Sequence, residues 1–155
     1  PATVAGVKPG IPGQPGELKG AVSGQEPVAV LDGNTSFGVF GHGLCYRGEA
    51  LPAAEAGEVK IGPARILSNI SGSETELFEV EIVKVYGPEN TTGRDMLLRV
   101  TDPALLEKTG GIVAGMSGSP IIQNGKLVGA VTHVLVNSPE MGYGIFIENM
   151  LEAAG

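Results

Sequence analysis

Hydrophobic and polar positions alternate most plainly between Glu76 and Val85. From Phe78 to Ile82 apolar and acidic residues take turns, with Glu79 and Glu81 on the face opposite Phe78, Val80 and Ile82. A period of two is the mark of a half-buried antiparallel strand. Ala64–Ile70 and Met96–Thr101 are further apolar, β-branched runs and read as its neighbours. Pro120–Gln123 and Lys126–Val136 flank Asn124-Gly125, a dipeptide suited to a type I′ hairpin turn. Gly142–Glu148 reads as one more strand, Pro103–Lys108 as one or two helical turns, and Glu148–Ala154 as a short closing helix. Earlier in the chain Pro27–Asp32 and Ser36–His42 read as strands joined by a turn at Asp32-Gly33-Asn34. Residues 1–25 carry Pro-Gly at 9–10, 12–13 and 15–16 and predict an extended opening stretch with little regular structure beyond Gly16–Val22.

Composition agrees with this pattern and narrows the class. Twenty-five Gly and eleven Pro in 155 residues exclude a helical bundle and suit short strands with many turns. The pattern therefore predicts an all-β, antiparallel barrel, built as one domain or as two small lobes sharing an interface. A net charge of −7 leaves no basic stripe for phosphates, so nucleic acid is not an expected partner. The single Cys45 excludes an internal disulfide framework and a cysteine-rich metal site. No zinc spacing, phosphate loop or paired carboxylates stand out, so neither a metal nor a cofactor is expected. No apolar run approaches the roughly 18–20 residues that would span a bilayer. The chain opens at Pro1 without a signal peptide, as an excised or processed piece would.

The chemistry is concentrated in Gly115-Met116-Ser117-Gly118-Ser119-Pro120. Acyl transfer needs a hydroxyl on a tight turn, with backbone N–H groups aimed at the developing oxyanion. Gly115 can adopt backbone angles closed to other residues and turn its N–H toward the reacting centre, with the N–H of Ser117 as the second donor. Gly118 leaves room for a substrate chain. An ordinary glycine-rich loop between strands would look the same locally. Ser119 is a second hydroxyl, expected to hydrogen-bond within the turn.

The turn, its hairpin and the following strand Leu127–Thr132 resemble the nucleophile region of chymotrypsin-like peptidases. More narrowly, residues 109–151, with 97–111, 49–67 and more weakly 10–20, resemble the stage IV sporulation protein B peptidases, the S55 serine peptidases of spore-forming bacteria. The resemblance implies one peptidase domain over 1–155, two-lobed and trypsin-like. Within it, 1–25 would be the opening stretch, 26–94 an incomplete N-terminal lobe, and 95–155 the lobe with the nucleophile. It implies Ser117 as nucleophile and Gly115 and Ser117 as oxyanion donors. Asp102, in Thr101-Asp102-Pro103 fifteen positions before Ser117, is implied as the triad acid, although an Asp before Pro is also a common helix cap. The strand carrying Thr132 and His133 is implied to run beside the substrate, His133 being otherwise a satisfied core histidine.

A general base is needed as well, and the chain has only His42 and His133. His42 matches a Gly-His motif locally, but its flanking sequence resembles a part of the family pattern beyond the catalytic histidine. The expected base is therefore an imidazole upstream of Pro1, with His42 in reserve. The resemblance further implies a protein substrate, cleavage of itself and of a regulatory membrane protein, and activation of sigma-factor processing. It places the protein outside the cytoplasm, between forespore and mother-cell membranes. A membrane anchor and a PDZ domain are expected upstream in the parent protein. A catalytically inactive, peptidase-like binding module is the rival expectation.

Overall fold

The computed structural model describes residues 2–155 apart from Ser23, Gln25, Tyr46, Arg47 and Thr91. Its elements run β1 (Ala2–Lys8), β2 (Glu17–Val22), β3 (Ala29–Thr35), β4 (Gly38–Gly43), a 3-10 turn (Ala56–Glu58), β5 (Gly62–Ser68), β6 (Glu76–Val85), β7 (Met96–Val100), α1 (Pro103–Thr109), β8 (Pro120–Gln123), β9 (Lys126–Leu135), β10 (Ser138–Phe146) and α2 (Ile147–Ala154). Six of the strands close into a barrel in the order β10-β7-β6-β5-β8-β9, and all its pairs are antiparallel. Closure removes exposed sheet edges. The all-β barrel expected from the alternation is the architecture found.

The barrel fills from the predicted face of each strand. On β6, Phe78, Val80 and Ile82 are buried, Glu79 is exposed, and Glu81 pairs with Arg99 on β7. Ile66 of β5, Met96 and Leu98 of β7, Ile121 of β8 and Val131 of β9 complete the interior. Each such burial is worth about 1.5–3 kcal/mol. Asn124 and Gly125 both take positive φ, 52° and 75°, as a type I′ turn requires.

Several boundaries differ from the sequence expectation. The barrel takes β5 and β6 from residues 26–94 and its other strands from 95–155, so the division at 94/95 runs through a single sheet. The opening stretch is more regular than its Pro-Gly content suggests, since β1 pairs antiparallel with β2. Residues Asp32–Asn34 are strand rather than turn. The bulge between Leu31 and Gly33 absorbs the irregularity and moves the turn to Thr35–Gly38. β10 begins at Ser138 instead of Gly142, and a register shift there accommodates Pro139. Among the described residues no helix is long and apolar enough to cross a membrane.

Candidate active site

The nucleophile turn is anchored by what it buries. Met116 is fully buried and Ser119 nearly so, while Ser117 and Gly118 between them face solvent. The turn's hydrogen bonds follow the same rhythm. Met116 N–H donates to the Val113 carbonyl (3.1 Å), Gly118 N–H to Val131 (2.8 Å) and Ser119 N–H to Met116 (3.0 Å). That leaves the N–H groups of Gly115 and Ser117 without an acceptor among the described residues. Gly115 has φ +100° and Gly118 φ +88°, conformations that cost other residues about 1–2 kcal/mol. Gly115 and Ser117 are exposed residues two positions apart in one turn, and an oxyanion needs two free N–H groups directed at one point.

The Ser117 hydroxyl is exposed and donates to the Thr132 carbonyl at 2.9 Å. A hydroxyl has one proton to give, and a backbone carbonyl cannot remove it. In this geometry the serine is held but not activated. Two cavities border the nucleophile turn. One, of about 520 Å³, is bounded by Ser117, Gly118, Thr132 and His133 on the barrel side and by Asn34–Val39 of the β3–β4 hairpin on the other. The second, of about 580 Å³, lies on the Gly115 side against Leu18 of β2 and Ser68 of β5. Gly118 borders both.

The other residues singled out from the sequence occupy distinct places. Thr132 and His133 do border the cavity beside Ser117. His133 is exposed, which rules out the core-histidine alternative, and Thr132 Oγ1 donates to the Tyr143 carbonyl. Asp102 is the N-cap of α1. One carboxylate oxygen accepts from Ala104 and Leu105 N–H (2.9 and 3.1 Å), and the other accepts from Glu79 N–H (3.2 Å). It lines neither cavity beside Ser117 and makes no hydrogen bond to either histidine. His42 lies on β4 with its side chain 84% exposed, and its Nδ1 meets Asp32 Oδ2 at 2.5 Å. The structure thus brings Ser117, Thr132 and His133 to one cavity, whereas Asp102 and His42 are not among the residues that line it. Ser119 departs from its expected local role: buried, its Oγ donates to Ser68 Oγ on β5 at 3.0 Å.

Some contributors are not legible in the sequence. The nucleophile loop is held from behind by the opening stretch, where Ala114 N–H donates to Gly16 and Leu18 N–H donates to Ala114. A Cβ at Gly16 would fall 2.4 Å from the Gly10 nitrogen, so the Pro-Gly repeats pack against one another here. Asp32 carries the signature of a turn residue. Its only other sequence signal is its place ten positions before His42 across a hairpin. Asp95 is buried and accepts from Phe146 N–H (2.8 Å) and Asn149 Nδ2 (2.7 Å), fastening the start of α2. Among the described residues no cluster of His, Cys, Asp and Glu is arranged to hold a metal ion.

Residues 1–151 match the family described as SpoIVB peptidase S55. Among solved structures the chain resembles "Crystal structure of Rv3671c protease, inactive form", with a TM-score of 0.56 and 19% identity over 82% of this chain and 67% of that one. At that identity the likeness speaks for the fold. A search of curated proteins found no match.

Proposed function

This chain belongs to the SpoIVB peptidase S55 family, and from that premise we propose that it is the nucleophile-bearing domain of a serine endopeptidase acting through Ser117. The observation that carries the proposal is the turn itself. An exposed hydroxyl sits beside two N–H groups, those of Gly115 and Ser117, that the fold leaves unpaired while their neighbours are satisfied. In the proposed reaction the Ser117 oxygen attacks a peptide carbonyl and those N–H groups receive the oxyanion. The bond to Thr132 breaks as an imidazole takes the hydroxyl proton. Neither histidine of the chain makes that contact, so in this proposal the imidazole comes from outside residues 1–155. His133 and Thr132 line the path of the substrate.

The biological setting we propose follows the family: cleavage of the protein itself and of a regulatory membrane protein during sporulation, outside the cytoplasm, leading to sigma-factor processing. A PDZ domain and a membrane anchor in the parent protein belong to the same proposal. One observation favours a second reading. The Ser117 proton is committed to a carbonyl, which is the arrangement expected of an inactive, peptidase-like binding module.

Substitution separates the two. In whichever form of the protein cleaves peptide, residues 1–155 or a longer one, Ser117→Ala should abolish cleavage while the circular dichroism spectrum stays unchanged. His42→Ala should leave the rate within about threefold. Cleavage surviving in Ser117→Ala would overturn the assignment, since loss of a nucleophile costs several orders of magnitude.

A further inference from the structure

A further cavity, of about 500 Å³, lies at the start of α2 and shares no lining residue with the two cavities at the nucleophile turn. Its volume suits a small ligand or a single large side chain. Three carboxylates line it, those of Asp95, Glu148 and Glu152, along with Val85, Tyr86 and Phe146. Among the described residues no lysine, arginine or histidine does. Asp95 is only 3% exposed, and securing α2 uses one of its two oxygens: Oδ2 accepts from both Phe146 N–H (2.8 Å) and Asn149 Nδ2 (2.7 Å). Oδ1 has no hydrogen-bond partner among the described residues. No sealed side-chain oxygen there lacks a partner, so Oδ1 is not sealed and opens onto the cavity that Asp95 lines. Glu148 repeats the pattern, its Oε2 accepting from Ala56 N–H at 2.8 Å and its Oε1 accepting from none of the described residues.

A buried carboxylate with one oxygen committed and the other facing a cavity is half satisfied, and a cation in that cavity would complete it. The placement of the acids selects among cations. A metal ion needs several ligands around one point, and among the described residues no three of His, Cys, Asp and Glu are so grouped. Dispersed acids suit a cation whose donors are themselves spread out. A guanidinium carries five N–H donors in a planar fork, stacks on aromatic rings, and follows a methylene stem that packs on apolar surface. Free arginine would bring its own carboxylate against a wall of three. An arginine in peptide linkage would not.

We infer that this cavity is a binding site for an arginine side chain of a polypeptide, its guanidinium paired with the free oxygen of Asp95. The site is separate from the nucleophile turn and does not depend on the serine-peptidase reading. Because Asp95 also holds the Phe146 N–H and the Asn149 amide, those two groups report on whatever pairs with it.

Titration of the chain with Nα-acetyl-arginine-N-methylamide, followed by the nitrogen–proton NMR signals of Phe146 and the Asn149 side chain, tests the inference. Both signals should shift saturably. The dissociation constant should lie at least about tenfold below that of the citrulline counterpart, which has the same shape without the charge. Asp95→Asn keeps a carbonyl oxygen for the Phe146 and Asn149 donors but turns an NH₂ toward the cavity, and should weaken binding about tenfold or more. Should Asp95→Asn not fold, Glu148→Gln with Glu152→Gln decides: Gln keeps an acceptor for Ala56 N–H, and affinity should fall about threefold or more. Citrulline and arginine derivatives binding alike would overturn the inference, as would wild-type affinity in folded Asp95→Asn or in the double variant. Free arginine binding as tightly as the blocked form would overturn the polypeptide source. Calcium shifting the same signals where the arginine derivative does not would make this a metal site and overturn the inference as well.

Discussion

At the scale of single residues, the site depends on backbone more than on side chains. Ser117 can be picked out from its sequence because G-x-S-G-x-P concentrates residue types that few other roles demand. Its hydrogen bond to Thr132 cannot, because that contact joins positions fifteen residues apart whose approach is set by the pairing of β8 with β9. Asp102 shows the opposite difficulty. Thr-Asp-Pro is compatible with a catalytic acid and with a helix cap, and only the three N–H groups around its carboxylate show that the cap is in force. Gly115 gives the sharpest prediction at this scale. A Cβ there would meet Leu18 Cβ at 3.1 Å and would force a side chain into φ +100°. Gly115→Ala should therefore cost about 1–2 kcal/mol by thermal unfolding. It should cost peptide cleavage far more, on the order of 10²–10³-fold, because one oxyanion donor is displaced. A variant with reduced stability and full activity would show that the Gly115 N–H is not a donor.

At the scale of elements, local patterns serve well where one periodicity decides the matter. β6 is expected from Glu76 to Val85 and is found there, because alternating burial fixes both its face and its length. The Asn124-Gly125 turn is legible for the same reason, being a local demand on φ. The β1–β2 pair is not, since Gly and Pro signal turns and give no account of long-range pairing. What makes those strands regular is their partner and the nucleophile loop they support, through Gly16, Leu18 and Ala114. The start of α2 offers another nonlocal case. Its first turn is secured by Asp95, fifty-one residues before Phe146. Removing that carboxylate in Asp95→Ala would leave the Phe146 N–H buried without a partner. The expected loss is about 2–3 kcal/mol, read from urea unfolding at neutral pH. A loss within about 0.5 kcal/mol would mean that α2 is held by its packing alone.

At the scale of the whole molecule, the barrel and the catalytic candidates are only partly the same object. The inward face of β6, from Phe78 to Ile82, follows from alternation alone, and the apolar runs around Ile66, Leu98 and Val131 mark the strands that meet it. The division into lobes does not follow in that way. It is decided by which strands meet, and β5 and β6 meet β8 and β7 in one closed sheet. The hairpins β1–β2 and β3–β4 stand outside that sheet, and each lines a cavity that borders the nucleophile turn. This arrangement gives a barrel floor carrying the nucleophile and walls carrying Leu18 on one side and Asn34–Val39 on the other. The central claim is that Ser117 is the nucleophile on that floor, and covalent trapping tests it most directly. A fluorophosphonate added to a form of the protein that cleaves peptide should phosphonylate one serine. Tryptic digestion isolates residues 109–126, which hold both Ser117 and Ser119, and fragmentation in the mass spectrometer distinguishes the two. The phosphonyl adduct is expected on Ser117 and none on Ser119. An adduct on Ser119 or on a serine outside this peptide, with Ser117 unmodified in actively cleaving protein, would contradict it.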